Sequence, residues 1–213
     1  MTGPAPSTIT LMLDEISFDE RGLVPCVVQD EATGEVLMLA YANRNALELT
    51  LQTGEMHFYS RSREEIWRKG ETSGATMAVK QLRYDCDGDA VLAIVAPAGP
   101  ACHTGERTCF YREFGGEPDR VAFEELPALE RTLKSRAAER PEGSYTVELL
   151  DNPTLIGEKV EEEAEEVVRA AREETDKRVA EEAADVIYHL AVLLASRGVP
   201  QSAVFEELNA RSR

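Results

Sequence analysis

Basic residues are scarce in this 213-residue chain: 23 lysines and arginines face 40 aspartates and glutamates, a formal net charge of −17. So acidic a surface repels polyanions at long range, which argues against a nucleic-acid partner or an anionic membrane. Long apolar runs are also missing. No stretch approaches the roughly 20 residues that span a bilayer, and MTGPAPSTIT at the start lacks the basic-then-apolar pattern of an export signal. The expectation is a cytoplasmic chain. Four cysteines are too few to staple a chain of this length, so reduced thiols are expected. Neither a P-loop glycine pattern nor a solenoid-period repeat occurs. The 43% of hydrophobic residues that remain suffice for one sizeable core or two small ones, which excludes a disordered or purely coiled-coil chain.

The character of the sequence changes along its length. From Leu23 to about Phe114, short apolar stretches punctuated by Gly, Asp and Thr predict strands: VPCVVQD, EVLMLAYA, EMHFYS, MAVKQLRY, DAVLAIVA and TCFYREF. One helix interrupts them, with Asn43 as N-cap and Gly54 at its C-terminal stop. Beyond Glu124 only helical patterns remain. A helix over Phe123–Arg140 stops before Pro141; another starts at Asn152 and Pro153 and runs to about Glu174; a third covers about Lys177–Arg197 and ends at Gly198; Pro200 allows a short last one. The boundary falls at 118/119, giving a β-rich domain over 1–118 and a linker helix with an all-α domain over 119–213.

Chemistry-bearing residues concentrate in both halves. Three of the four cysteines, Cys86, Cys102 and Cys109, lie within 24 residues of one another, and Cys86 stands inside the acidic run DCDGD. If that run ends a strand, Asp85, Asp87 and Asp89 face one side and Cys86 the other, so hard oxygens suited to magnesium and a soft sulfur suited to zinc could serve different ions. Three thiolates would leave one tetrahedral position of a zinc open for water. His103, adjacent to Cys102, is placed for proton handling rather than ligation. Blander readings stand beside these: a solvated aspartate turn, unligated core thiols, or a closed structural zinc. Cys26, inside LVPCVV, reads as a core residue.

The segment SRSREEIWRKGETSG gathers Arg61, Arg63, Arg68 and Lys69 with Thr72 and Ser73, groups able to hold phosphate. The alternative is an exposed loop balanced by Glu64, Glu65 and Glu71. Trp67 could stack on a base or anchor the loop in the core.

WRKGETSG, DCDGDA and ACHTGERTCF, in this order, resemble the phosphoribosyl-AMP cyclohydrolases of histidine biosynthesis over about residues 14–118. The resemblance implies zinc held by Cys86, Cys102 and Cys109, with one thiolate supplied by the other subunit of a homodimer, and magnesium at Asp85, Asp87 and Asp89. It also implies ring opening of phosphoribosyl-AMP by zinc-activated water, with the loop residues Arg61, Arg63, Trp67, Arg68, Lys69, Thr72 and Ser73 contacting substrate. Ala75 departs from the family's usual Asn, which puts a side-chain contact at that position in doubt.

In the helical half, Ile156, Val160, Ala164, Val167 and Ala171 form one apolar stripe at about 100° per residue, and Glu163 falls within about 60° of its centre. Val179, Ala183, Val186, Leu190 and Leu193 form a second stripe, flanked by Glu182, Asp185 and His189. A buried carboxylate needs a cationic partner, and antiparallel packing of the two helices would converge their acidic flanks on hard divalent ions. A solvated acidic helix is the plainer reading. The pattern EExxE followed by ExxD, with SYTVELL and DVIYHL around it, resembles phosphoribosyl-ATP pyrophosphatase over about 123–213. The resemblance implies magnesium at Glu162, Glu163, Glu166, Glu182 and Asp185. His189 could support a ligand or close the substrate pocket, but is read as a structural helix-end residue outside the catalytic set.

Together these readings give a two-domain α+β chain, a β-rich cyclohydrolase domain followed by an all-α helical-bundle pyrophosphohydrolase domain. The implied enzyme cleaves phosphoribosyl-ATP to phosphoribosyl-AMP and pyrophosphate, then opens the adenine ring, with Zn2+ and Mg2+ as cofactors. The rivals are a zinc-stabilised dimer module with a metal-binding helical domain, and a general nucleotide pyrophosphohydrolase.

Overall fold

The computed structural model describes residues 13–115 and 121–212. These form two compact units, divided between Asp119 and Arg120; the expected boundary at 118/119 lies outside the described residues.

In the first unit, apolar and β-branched residues build β1 (Leu23–Asp30) and β2 (Val36–Asn43), and the elements that follow are α1 (Arg44–Thr53), β3 (His57–Ser60), β4 (Glu65–Arg68), β5 (Met77–Tyr84) and β6 (Val91–Pro97). Four strands make one sheet in the order β2–β1–β6–β5; β1 pairs antiparallel with β2 and parallel with β6, and β5 pairs antiparallel with β6. Strand β1 is therefore central. Its alternate residues Val24, Cys26 and Val28 are fully buried, packed with Leu37, Leu47, Met56, Phe58, Met77 and Val95. Burial pushes the Cys26 thiol up to about 12, as expected of a core residue.

The caps of α1 are those the sequence predicts: the Asn43 side chain accepts from the Ala46 N–H, and Gly54 adopts the left-handed conformation at φ 71°. Two expectations fail. EIWR, read as loop, is strand β4, paired with β3 in a separate ribbon where Trp67 opposes Phe58. TCFYREF, read as a strand, forms no strand among the described residues beyond a single bridge position at Glu113. Cys109 N–H donates to the Leu37 carbonyl at 2.7 Å and the Thr108 hydroxyl to the Val36 carbonyl at 2.7 Å, so isolated bonds tie this segment to β2.

The second unit contains a 3-10 turn (Ala122–Glu124) and helices α2 (Glu125–Glu139), α3 (Tyr145–Asp151), α4 (Pro153–Glu173), α5 (Asp176–Ser196) and α6 (Gln201–Arg211). Helix α3, which overlaps SYTVELL and ends one residue beyond it, was not anticipated. Asn152 caps α4 through Leu155 N–H with Pro153 in the first turn, and Thr175 caps α5 through Arg178 N–H. Leu133, Leu149, Ile156, Ala191 and Val192 form the core.

The buried faces of α4 and α5 are rotated from their expected phase. Ala164, Ala171 and Leu190 are exposed, whereas Ala170, Glu182 and His189 are buried. In α4 the inward series runs Ile156, Val160, Glu163, Val167, Ala170, alternating steps of four and three. Glu163 thus stands in the seam itself rather than beside it. Among the described residues no helix is long and apolar enough to cross a membrane.

Candidate metal centres

Asp85, Asp87 and Asp89 do come together, but not by strand alternation. Strand β5 ends at Tyr84, and the next residues turn: Asp85 N–H donates to the Ala90 carbonyl at 3.1 Å and Gly88 N–H to the Asp85 carbonyl at 3.4 Å. Gly88 is required there. Its φ is 77°, and a Cβ would lie 2.4 Å from the Glu15 carbonyl oxygen. The turn is pinned to the preceding chain by Ser17 N–H donating to the Gly88 carbonyl at 2.8 Å and the Ser17 hydroxyl to the Asp87 carbonyl at 3.0 Å.

As a result one carboxylate oxygen from each aspartate lies within 4.8 Å of the others, all three side chains being exposed. Repulsion from Asp87, with contributions from Asp85, raises the pKa of Asp89. Desolvation opposes ionisation of Asp85, yet the hydrogen bonds from Ala90 N–H and Asp89 outweigh it and hold its pKa low. A hard divalent cation would relieve the repulsion with the oxygen donors it prefers.

The sulfur set is incomplete within one chain. The CHTGERTC segment folds back on itself: Ala101 N–H donates to the Arg107 carbonyl at 3.0 Å and Cys102 N–H to the Glu106 carbonyl at 3.1 Å, with Gly105 at φ 91° in the bend. Cys102 and Cys109 thereby come near enough for each to perturb the ionisation of the other. The Thr104 hydroxyl donates to Cys102 Sγ at 3.0 Å and lowers that thiol's pKa, while burial and the neighbouring Cys102 raise that of Cys109. Two soft sulfurs on one fold-back suit zinc. Cys86 is exposed on the aspartate turn, its nearest polar partner being an Asp87 carboxylate oxygen at 3.9 Å. Among the described residues no group of three places it with the other two. His103 is exposed, with Nδ1 4.0 Å from Cys102 Sγ.

Arg107 straps this fold-back to the β1–β2 turn. Its guanidinium donates to Asp30 and to Glu35 at 2.6 Å each, and Asp30 is only 5% exposed. Sequence reasoning had not singled it out, although an arginine between two candidate ligands was the signal.

The basic loop divides. Lys69 is buried, with its charge reaching Cys109. Arg61 stacks on the Tyr41 ring at 3.9 Å and is exposed. Arg63 pairs with Glu65 at 3.1 Å and Arg68 with Glu55 at 2.6 Å, so both already have carboxylate partners. Trp67 packs on Phe58 with ring centroids 5.0 Å apart. Thr72 and Ser73 are exposed, and the Ser73 hydroxyl accepts from Ala75 N–H at 3.3 Å. Gly70, at φ 82°, lets the loop cross where a Cβ would lie 2.4 Å from the backbone of Ala75 and Thr76.

In the helical unit, one oxygen each from Glu163, Glu166 and Glu182 lie within 4.8 Å of one another. Glu182 is 3% exposed and the Glu163 side chain 13%. Glu162 and Asp185 stand outside this group, both exposed, and Glu162 pairs with Lys159 at 2.5 Å. His189 is not a helix-end residue. It sits well inside α5, buried, with Nδ1 donating to the Asp185 carbonyl at 2.9 Å and lying 3.8 Å from Glu163. Nε2 is then left to accept from the Tyr145 hydroxyl at 3.2 Å. Arg169 donates to Glu166 at 2.9 Å, and Arg178 donates to Glu182. Clustered buried carboxylates are costly without cations, so their oxygens fit a hard divalent ion.

Two family matches divide the chain in the same way. Residues 38–111 match phosphoribosyl-AMP cyclohydrolase, and residues 126–212 match phosphoribosyl-ATP pyrophosphohydrolase. The histidine biosynthesis bifunctional protein HisIE of Bacillus subtilis is 49% identical over 199 residues, 93% of this chain and 95% of that protein. Its namesake from Thermus thermophilus is 49% identical over 206 residues, 94% of each. That of Pyrococcus furiosus is 45% identical over 212 residues, 96% of this chain and 99% of its own.

Proposed function

The chain belongs to the family of bifunctional histidine-biosynthesis hydrolases that join a phosphoribosyl-AMP cyclohydrolase to a phosphoribosyl-ATP pyrophosphohydrolase, and on that premise we propose which residues carry each step. The supporting observation is spatial: donors of two chemical kinds lie in two separate units, sulfur with aspartate in the first and glutamate alone in the second.

The helical domain, 119–213, acts first. It hydrolyses the α–β anhydride of phosphoribosyl-ATP, giving phosphoribosyl-AMP and pyrophosphate. Glu163, Glu166 and Glu182 would hold Mg2+, joined by the exposed Glu162 and Asp185. The sheet domain, 1–118, then opens the adenine ring: water adds at C6 and the N1–C6 bond breaks. Cys102 and Cys109 hold Zn2+ with Cys86 of a second chain, which accounts for the distance of a chain's own Cys86 from the pair and requires a homodimer. Asp85, Asp87 and Asp89 hold Mg2+.

When bound, zinc would lower the pKa of water toward neutrality, and magnesium would neutralise charge on phosphate oxygens. His103 takes the proton of the attacking water, being exposed and next to Cys102. Lys69 and Arg61 fix the phosphoribosyl groups, and Arg63 and Arg68 join them by exchanging carboxylate for phosphate partners. Thr72 and Ser73 offer hydroxyls to the same phosphates, and Trp67 supports the loop from the core side. A cytoplasmic location is the reading that fits, since the roles given to these thiols need them reduced.

The test is a pair of assays on one preparation, pyrophosphate release from phosphoribosyl-ATP and the absorbance change of ring opening. Both activities are expected with zinc and magnesium present. Comparable cleavage of ordinary nucleoside triphosphates, or absence of ring opening in the folded metal-loaded dimer, would contradict the assignment.

A further inference from the structure

Within the glutamate cluster the three carboxylates are not equivalently compensated. Glu166 is 31% exposed in its side chain and takes Arg169 as partner at 2.9 Å. Glu163 has His189 at 3.8 Å, which is cationic only when protonated. Glu182 is the most buried, its side chain 4% exposed, and its cationic partner is Arg178.

Arg178 is unusually placed for a lasting partner. It lies in the first turn of α5, three residues beyond the Thr175 cap, where the helix dipole disfavours a positive charge. Its order with Glu182, cation N-terminal to anion at i,i+4, is the weaker of the two orders. Carboxylates hold it there: Glu181 at 2.6 Å and Glu174 at 3.4 Å, besides Glu182. Those two are 40% and 34% exposed in their side chains and do not require it, whereas the buried Glu182 does. Releasing Glu182 would therefore leave the guanidinium well supplied with partners.

From this arrangement we infer that Arg178 is an internal counterion which occupies Glu182 in the metal-free protein and which a divalent cation must displace, so that Arg178 sets the metal affinity of the helical site. The inference rests on the assignment of a divalent metal to Glu163, Glu166 and Glu182. A guanidinium and a dication cannot share the Glu182 carboxylate without like-charge repulsion in a poorly solvated seam. The two occupancies are then mutually exclusive, and the coupling between them is negative. Neutralising a ligand's partner would ordinarily weaken a site; here it strengthens it.

The experiment titrates Mn2+ into the full-length, zinc-loaded chain, follows water-proton relaxation, and identifies the helical site as the binding lost on Glu163→Gln. Arg178→Gln is expected to tighten Mn2+ at that site by roughly fivefold or more, within the usual range of coupling between competing ligands. It is also expected to lower the melting temperature of the metal-free protein more than that of the Mn2+-loaded one. Arg172→Gln removes the same charge from the exposed C-terminal end of α4 and controls for long-range attraction, with a change of less than about twofold expected. Arg178→Lys serves where the neutral variant does not fold, and is expected to show a smaller gain in the same direction. Unchanged or weaker Mn2+ binding in the folded variant, or an equal gain from Arg172→Gln, would overturn the inference while leaving the metal assignment intact. Absence of any Mn2+ binding sensitive to Glu163→Gln in the parent chain would overturn that assignment and the inference with it.

Discussion

The sheet unit carries its candidate ligands on turns, and the helical unit carries the three that cluster on two regular helices. Asp85, Asp87 and Asp89 surround Gly88 in a bend after β5, and Cys102 and Cys109 flank the bend at Gly105. Apart from the buried Cys102, these positions are exposed and held by a few backbone bonds, which leaves them open to completion by a second chain. Glu163 and Glu182 instead replace apolar residues in a helix–helix seam, where each needs a cation even in the absence of metal. A site on turns is open to assembly, whereas a site in a seam is closed and pre-compensated.

That contrast is broken most severely by exchanging one ligand in each unit. Cys102→Ala should reduce ring opening by about three orders of magnitude, the scale of losing a metal-activated nucleophile, while pyrophosphate release stays within about twofold. Glu163→Gln should do the reverse, lowering pyrophosphate release about 100-fold or more and sparing ring opening. Loss of both activities in either variant, with the chain still folded by circular dichroism, would contradict the separation of the two sites.

Much of this was legible in the sequence where the deciding physics is local. The Asn43 cap, the Gly54 stop and the Asn152–Pro153 helix start each depend on one or two residues and lie where expected. The carboxylates of DCDGD do come together, but not by the strand alternation the sequence suggested. The residues turn instead of alternating, because Gly88 takes a positive φ and packs against Glu15. TCFYREF has strand composition, yet composition cannot tell a ladder from a segment tied by single bonds to Leu37 and Val36. The phase of α4 was misjudged for a related reason. Ala170 and Ala171 are equally apolar, and which one faces inward depends on the partner helix, whose His189 lies against Glu163. Helix α3 was missed because seven residues carry too little periodicity, although its Tyr145 hydroxyl reaches His189. Only the fold brings those two together.

Smaller effects sharpen the comparison on the side of stability. Arg107→Ala leaves the buried Asp30 without its cation, and the sheet unit should lose about 3 kcal/mol in denaturant unfolding, with the helical unit unaffected. Zinc retention should fall as well, since the strap between the sulfur-bearing fold-back and the β1–β2 turn is gone. A loss under about 1 kcal/mol would show that the ion pair is a surface one in effect.

Alkaline pH provides the mildest test. Cys26 is held at about 12 when folded against an ordinary 9.0, so the folded state binds more protons than the unfolded one across that interval. Its contribution is fully present below pH 9.0 and is lost as pH rises toward 12. Cys26→Ala should flatten this part of the stability profile of the sheet unit. An identical slope in the variant would mean that the decline comes from other groups.

The claim that sulfur and glutamate centres are separate is tested most directly by the zinc content of the purified protein, measured by elemental analysis alongside ring opening. The account predicts about one zinc per chain in the parent and in Glu163→Gln, and its loss with ring opening in Cys102→Ala. Full ring opening in protein stripped of zinc by a chelator would contradict it.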